Sequence, residues 1–312
     1  MDDDIRIRAA WLYHVGGLSQ DEVGQRLGLS RFKVLRLLSD ARAAGEVVVS
    51  LDHRNTGTLA LAEALRERFG LSEVLVAPES GGIDAAAARR AVGMLAARWC
   101  SRVIASGPLT VGVGWGRTLS AMADALTGLH NPDLRVVSLM GAMVRTGPEG
   151  PIDVCARIAA VAGGQALFLP APFLADTPQD AAVLMRQRLV REALDAARGA
   201  SHMIVSVGEG GREALLTSSG VLDASDLAAL EAAGVVGDTT GKFLCADGTL
   251  APLDLNDRTP AIGLEDMARA EVTLLAAGVT KADATRAVLR AGFVNRIVAD
   301  EALAMILMED ET

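Results

Sequence analysis

The chain has 312 residues, half of them apolar, which is enough for one small module plus one large or two smaller domains with a sizeable buried core. No stretch approaches the roughly 18 uninterrupted apolar residues of a membrane span, and the acidic start Met1-Asp2-Asp3-Asp4 is unlike the basic beginning of a signal peptide, so a cytoplasmic protein with no membrane partner is expected. Net charge is −9, but residues 1–54 hold eight Lys/Arg and eight Asp/Glu, so the acidic excess falls in 55–312 and excludes nucleic-acid binding through the whole surface.

The first elements in the chain are two short helices. Ser19 has the character of an N-cap with Glu22 at the third helical position, which predicts a helix from Gln20 to Leu27 that ends at Gly28. Ser30 caps a second helix reaching about Ala43. Val34, Leu37, Leu38 and Ala41 form its apolar stripe, while Arg31, Phe32, Lys33 and Arg36 lie toward its outward N-terminal part. With small Gly24 where the helices cross, this is the spacing of a helix-turn-helix, whose second helix reads base edges in double-stranded DNA. The bland alternative is an amphipathic pair with a solvated basic face. Arg31 or Arg36 suits guanine, and Lys33 or Arg42 suits phosphate, with Ser30 at the helix start; Phe32 either touches a thymine methyl or packs. So small a module gains little affinity alone, which implies a dimer or higher homo-oligomer.

Val47 to Leu51 reads as a short strand or wing and Asp52 to Gly57 as a link, which sets domains at 1–54 and 55–312. Leu59 to Phe69 reads as helix. Strand-length apolar runs then recur at Ser72–Ala77, Thr110–Val113, Arg135–Met140, Ala166–Pro170, His202–Val207 and Val272–Ala276. Helical stretches lie between them, at Ala85–Ala105, Arg117–Leu126, Ile152–Ala162, Gln179–Ala197 and Lys281–Ala291. Such alternation predicts an α/β domain with a mostly parallel sheet covered by helices.

Within it, Val111 to Thr118 runs from a strand through Gly112, Gly114 and Gly116 into a helix. Glycines permit close backbone approach, the helix start offers unpaired N–H groups, and Arg117 and Thr118 add donors: an anion cradle, or a tight turn with no ligand. The Gly-X-Gly-X-Gly spacing is not that of a dinucleotide site, and no acidic residue ends the next strand, so no nicotinamide cofactor is expected. Cys100, Cys155 and Cys245 are far apart and the four histidines unclustered, which indicates neither a disulfide framework nor a metal site. Three more polar groups follow strands: Glu209 after Val207-Gly208, Asp238 in Gly237 to Gly241, and Lys281 after Gly278. Each is either a pocket residue or, respectively, a cap, a turn former and a solvated charge. Trp115 is the one tryptophan expected near a pocket; Trp11, Trp99 and also His202 are expected in cores.

The stretch Leu18 to Arg31, the turn Gly112 to Thr118, Gly234-Val235-Val236-Gly237-Asp238 and Phe293 to Glu301, in that order, resemble the SorC-type, DeoR-like sugar-responsive transcriptional regulators over nearly the whole chain. The N-terminal part is most similar to members that govern sugar-alcohol catabolism, including erythritol use. The resemblance implies a Rossmann-like effector domain similar to sugar-phosphate isomerases, used for sensing rather than catalysis, in a tetrameric repressor or activator. It implies that Gly114, Trp115, Gly116, Arg117 and Thr118 surround the phosphate or polar end of a sugar, polyol or sugar phosphate, while Glu209, Asp238 and Lys281 hold its hydroxyls. Trp115 is bulky for that role, and Gly141-Ala142-Met143 and Ala277-Gly278-Val279 are poorer in glycine than the family pattern. The rival function is a phosphosugar isomerase or deaminase carrying a DNA module, with Glu209 or Asp238 as base.

Overall fold

The computed structural model describes residues 2–47, 56–78, 84–105, 107–143, 149–210 and 215–309. The chain divides into two compact units, Met1–Asp52 and His53–Thr312.

Among its described residues the first unit has three helices, α1 (Asp2–His14), α2 (Gln20–Leu27) and α3 (Arg31–Ala43), around Ala9, Ala10, Val23, Val34, Leu38 and Ala41. The caps are local and follow the sequence. Ser19 Oγ accepts the Glu22 N–H while the Glu22 carboxylate accepts the Ser19 N–H at 2.8 Å, so two donors that the first turn leaves unpaired are satisfied reciprocally. Gly28 stops α2 at φ 66°, the left-handed region in which a side chain is strained, and Ser30 Oγ accepts the Lys33 N–H to start α3. Gly24 has to be small, because a Cβ there would lie 2.7 Å from the Leu29 carbonyl oxygen. Helix α1 has no counterpart among the expected elements; Arg6 ties it to Glu46 beyond α3 at 2.7 Å. Trp11, expected in a core, is 58% exposed on α1, since Ala9 and Ala10 supply the buried face. The wing and link expected at Val47–Gly57 fall largely on 48–55, outside the described residues.

The second unit is built on a seven-stranded sheet, every pair parallel. Its strands are β1 (Glu73–Ala77), β2 (Leu109–Val113), β3 (Leu134–Ser138), β4 (Gln165–Leu167), β5 (His202–Ser206), β9 (Glu271–Ala276) and β10 (Arg296–Asp300), in the order β1-β10-β9-β5-β2-β3-β4. A smaller antiparallel sheet consists of β6 (Gly208–Glu209), β7 (Val235–Thr239) and β8 (Lys242–Cys245). The helices are α4 (Thr56–Phe69), α5 (Ala85–Ile104), α6 (Arg117–Ala125), α7 (Pro151–Ala162), α8 (Pro178–Met185) and α9 (Arg188–Arg198), followed by α10 (Leu215–Ser218), α11 (Ala224–Ala232), α12 (Leu255–Arg258), α13 (Leu264–Met267), α14 (Ala282–Arg290) and α15 (Glu301–Met308).

Both faces of the large sheet are covered. Val111, Val113, Val136 and Leu275 pack with Val92, Trp99, Leu119, Met122, Val154 and Ile158 from α5, α6 and α7. Their strand neighbours Val137, Val272, Leu274 and Ala276 pack with Leu65, Leu194, Val288 and Leu303 from α4, α9, α14 and α15. Burial on both faces is why these strands read as continuous apolar runs.

Three expectations are corrected. Gln179–Ala197 is two helices, because Gln187 is extended (φ −63°, ψ 141°) and lets α9 turn Val190, Ala193, Leu194 and Ala197 onto the sheet. Glu209 and Asp238 lie on paired strands, β6 and β7, rather than in turns. Lys281 ends a short 3-10 turn, Val279–Lys281, and α14 begins after it. The hairpin joining β7 to β8 turns at Thr240 and Gly241, both at positive φ, the geometry that matches strand twist.

The chain leaves β2 toward β3 and β4 on one side, and leaves β5 toward β9 and β10 on the other. Between the carboxyl ends of β2 and β5 the direction of winding reverses, and the loops there part to open a crevice.

Candidate functional site

A cleft occupies that reversal point. It is lined by Trp115, Gly116, Arg117, Ser206, Val207, Gly208, Glu209, Leu215, Leu216, Asp238 and Lys281, and holds about 410 Å³ counted out to its open mouth. Six of the eight residues expected around a ligand are therefore brought together from four separate stretches of chain. Gly114 and Thr118 do not line it. Thr118 is fully buried beneath, its hydroxyl without a hydrogen-bond partner.

One wall is the turn from β2 into α6. Gly116 is the N-cap of α6 at φ 122°, a conformation open only to glycine, and its N–H is held by the Glu149 carbonyl at 2.9 Å. Ser206 at the end of β5 fastens the same turn by donating to the Trp115 carbonyl at 2.6 Å, and a Cβ on Gly116 would meet the Ser206 hydroxyl at 2.8 Å. Among the described residues no side chain caps α6, and Gly116 and Arg117 bring the positive end of the helix to the cleft. Trp115 is buried and tilts against Phe173, ring centres 5.9 Å apart; its bulk completes the apolar wall with Leu216.

The charged groups come from several elements. Arg117 donates to Glu209 at 3.2 Å, and Thr280 donates to the other Glu209 oxygen at 3.4 Å. Lys281 is buried and donates through Nζ to the Val207 carbonyl at 2.6 Å. Burial pushes its ammonium down to about 8, against the pull of Glu209 and Asp238. Asp238 is also buried; burial pushes its carboxyl up to about 6, opposed by the Gly241 N–H and by Lys281. It fits only because its ladder partner is Gly208, where a Cβ would lie 2.1 Å from Asp238 Oδ1.

Sequence reasoning missed Ser206, Leu215, Leu216 and Arg89. Arg89 on α5 feels both Arg117 and Glu209, and burial holds its guanidinium below the ordinary value. Ser206 had a signal, as the last residue of an apolar strand next to Glu209; Arg89 had none. His202, expected in the core, is half-buried at the amino end of β5, the end of the sheet opposite the cleft. Among the described residues no histidine lines the cleft. Among the described residues no three His, Cys, Asp or Glu side chains converge as metal ligands, and no helix is long and apolar enough to cross a membrane.

In the first unit, Ser30, Arg31, Phe32, Lys33, Arg36 and Arg42 are all exposed on or beside α3. Two of these cations make only long, solvated ion pairs, Arg31 with Asp21 at 3.7 Å and Arg36 with Asp40 at 3.9 Å. Such pairs yield readily to a better anion.

The second unit is thus a two-faced α/β domain with a polar, charged cleft at its switch point, the architecture of a small-molecule binding domain. Residues 53–309 match the family described as "Putative sugar-binding domain". The chain belongs to this family, the SorC/DeoR-like regulators with a sugar-binding domain. It is 36% identical to the erythritol catabolism regulatory protein EryD of Brucella abortus, over 98% of this chain and 97% of that one. A domain of a possible sugar-binding transcriptional regulator from Arthrobacter aurescens TC1 shares 28% identity at a TM-score of 0.75, covering 83% of this chain and all of that one. The full-length sorbitol operon regulator SorC of Klebsiella pneumoniae, at 20% identity, shares the fold with a TM-score of 0.78 over 99% of both chains.

Proposed function

We propose that residues 1–52 form a helix-turn-helix DNA reader and residues 53–312 a sensor for a sugar, polyol or sugar phosphate, so that the chain regulates a carbohydrate or polyol catabolic operon. The observation that carries the sensing half is the cleft itself: the start of α6 together with two cations, Arg117 and Lys281, and two carboxylates, Glu209 and Asp238. The helix end and the two cations suit an anionic or strongly polar group, and the carboxylates accept hydrogen bonds from a row of hydroxyls. Similarity to the Brucella regulator of erythritol catabolism favours a four-carbon polyol or its phosphate. The exposed basic face of α3 supports the reading half, with Arg31 and Arg36 toward base edges and Lys33 and Arg42 toward phosphates.

A ligand alters DNA binding only by favouring one of two arrangements of a homo-oligomer, dimer or tetramer, and coupling of about 1–3 kcal/mol changes operator affinity 5- to 150-fold. The Rossmann-like, isomerase-like architecture serves recognition alone in this reading. The rival isomerase or deaminase finds an acid and a base in Lys281 and Asp238, both with ionisation moved toward neutrality, but among the described residues no histidine in the cleft for ring opening.

Thermal unfolding against a panel of polyols, sugars and their phosphates tests the proposal. The true effector at a hundred times its dissociation constant stabilises by about 2.7 kcal/mol. A shift with one compound identifies the effector; no shift with any removes the sensing half. Turnover of ribose 5-phosphate or glucosamine 6-phosphate would favour the enzyme.

A further inference from the structure

Two large apolar side chains on α3 stand in solvent: Phe32 is 84% exposed and Leu35 51%. The helix buries its other side, through Val34, Leu38 and Ala41, so neither is a core residue displaced by crowding. At 100° per residue Phe32, Leu35, Arg36 and Ser39 share the outward face. Arg31 and Arg42 flank that face on one side, and Lys33 flanks it on the other, with Asp40 as the carboxylate beside Arg36. An apolar ridge between two cationic rims is complementary to a major groove, whose phosphates line both edges and whose floor carries one apolar group, the thymine 5-methyl.

Resting on the reading of the first unit as a DNA reader, we propose that Phe32 and Leu35 are specificity residues that recognise thymine methyl groups on neighbouring base pairs of each operator half-site. One helical step of three residues advances about 4.5 Å, close to the rise of roughly 3.4 Å between base pairs, so the two side chains reach adjacent methyls. The charges around the ridge select the partner. Four cations around two apolar side chains favour a polyanion over a protein surface.

The experiment begins with the full-length protein and a random duplex library, from which bound sequences are selected. The selected site is then rebuilt with deoxyuridine in place of each thymine in turn, which removes the 5-methyl and leaves pairing unchanged. Burial of one methyl corresponds to about a fourfold change in affinity. The expected result is that uracil at one or two positions per half-site weakens wild-type binding about fourfold each, that Phe32→Ala or Leu35→Ala abolishes one of these penalties, and that Phe32→Leu retains it in part. The proposal is overturned if every uracil duplex binds like its parent, or if both alanine variants keep all penalties. It is equally overturned if Phe32→Ala changes the oligomeric mass while uracil has no effect, which would make the ridge a protein contact. Failure of any duplex to enrich would remove the DNA-reading proposal itself, and this inference with it.

Discussion

Asp238 pays for its position in the cleft with a buried charge. Its carboxyl titrates near 6 in the folded chain and near the ordinary 3.8 when unfolded, so protonation favours the folded state. The contribution is fully present below about pH 4 and is lost as pH rises through 6, because above that the folded protein must hold an unsolvated carboxylate. Asp238→Asn removes the charge and is expected to raise the melting temperature at pH 7.5 and to raise it less than half as much at pH 4.5, a difference on the order of 2 kcal/mol. Differential scanning calorimetry at the two pH values checks this. A variant that melts lower at both would mean that the carboxylate is repaid in full by Lys281 and the Gly241 N–H.

The turn from β2 into α6 shows how an element, rather than a residue, makes the binding wall. Gly114 and Gly116 look alike in the sequence, but the fold separates them. A Cβ on Gly114 would make ordinary contacts of 3.5–3.6 Å, whereas Gly116 lies at φ 122° with Ser206 Oγ 2.8 Å from the position of a Cβ. Gly114→Ala is therefore expected to be neutral in stability and in ligand response. Gly116→Ala is expected to cost about 1–3 kcal/mol and to swing the start of α6 away from the cleft, abolishing the ligand-dependent thermal shift. Melting curves of the two variants with and without effector read both effects; equal behaviour of the two would show that the helix start does not shape the site.

At the scale of the whole molecule the proposal makes reading and sensing separable, because their residues belong to different compact units. Arg117→Ala removes a cation from the cleft, and is expected to lose the effector response while operator binding, followed by fluorescence anisotropy, stays within about twofold of wild type. Arg36→Ala is expected to do the reverse, with operator affinity falling at least tenfold and the thermal shift intact. Loss of both properties in either variant would report misfolding and not a role in function.

Much of this protein was determined by its sequence alone, wherever the controlling forces are local. Ser19, Glu22 and Gly28 fix both ends of α2 and Ser30 the start of α3 to the residue, since caps act on the nearest unpaired N–H and carbonyl groups. Apolar runs buried on both faces announced the parallel sheet, and six of the eight residues expected just past those runs, all but Trp115 glycines or charges, line the cleft. The tertiary structure decided the rest. Gly208–Glu209 and Val235–Thr239 read as turns because Gly208, Glu209, Gly237 and Asp238 have low strand propensity; only pairing with each other and with β8 makes them strands. Arg89, on α5, is brought near enough to feel Arg117 and Glu209, and Thr118, one residue from Arg117, is fully buried. Phe32, equally suited by type to a core or a groove, is left outside by a stripe already filled with Val34, Leu38 and Ala41. Spacing along a chain specifies which groups are neighbours on one element, and only packing between elements selects which of them share a cavity or remain in water.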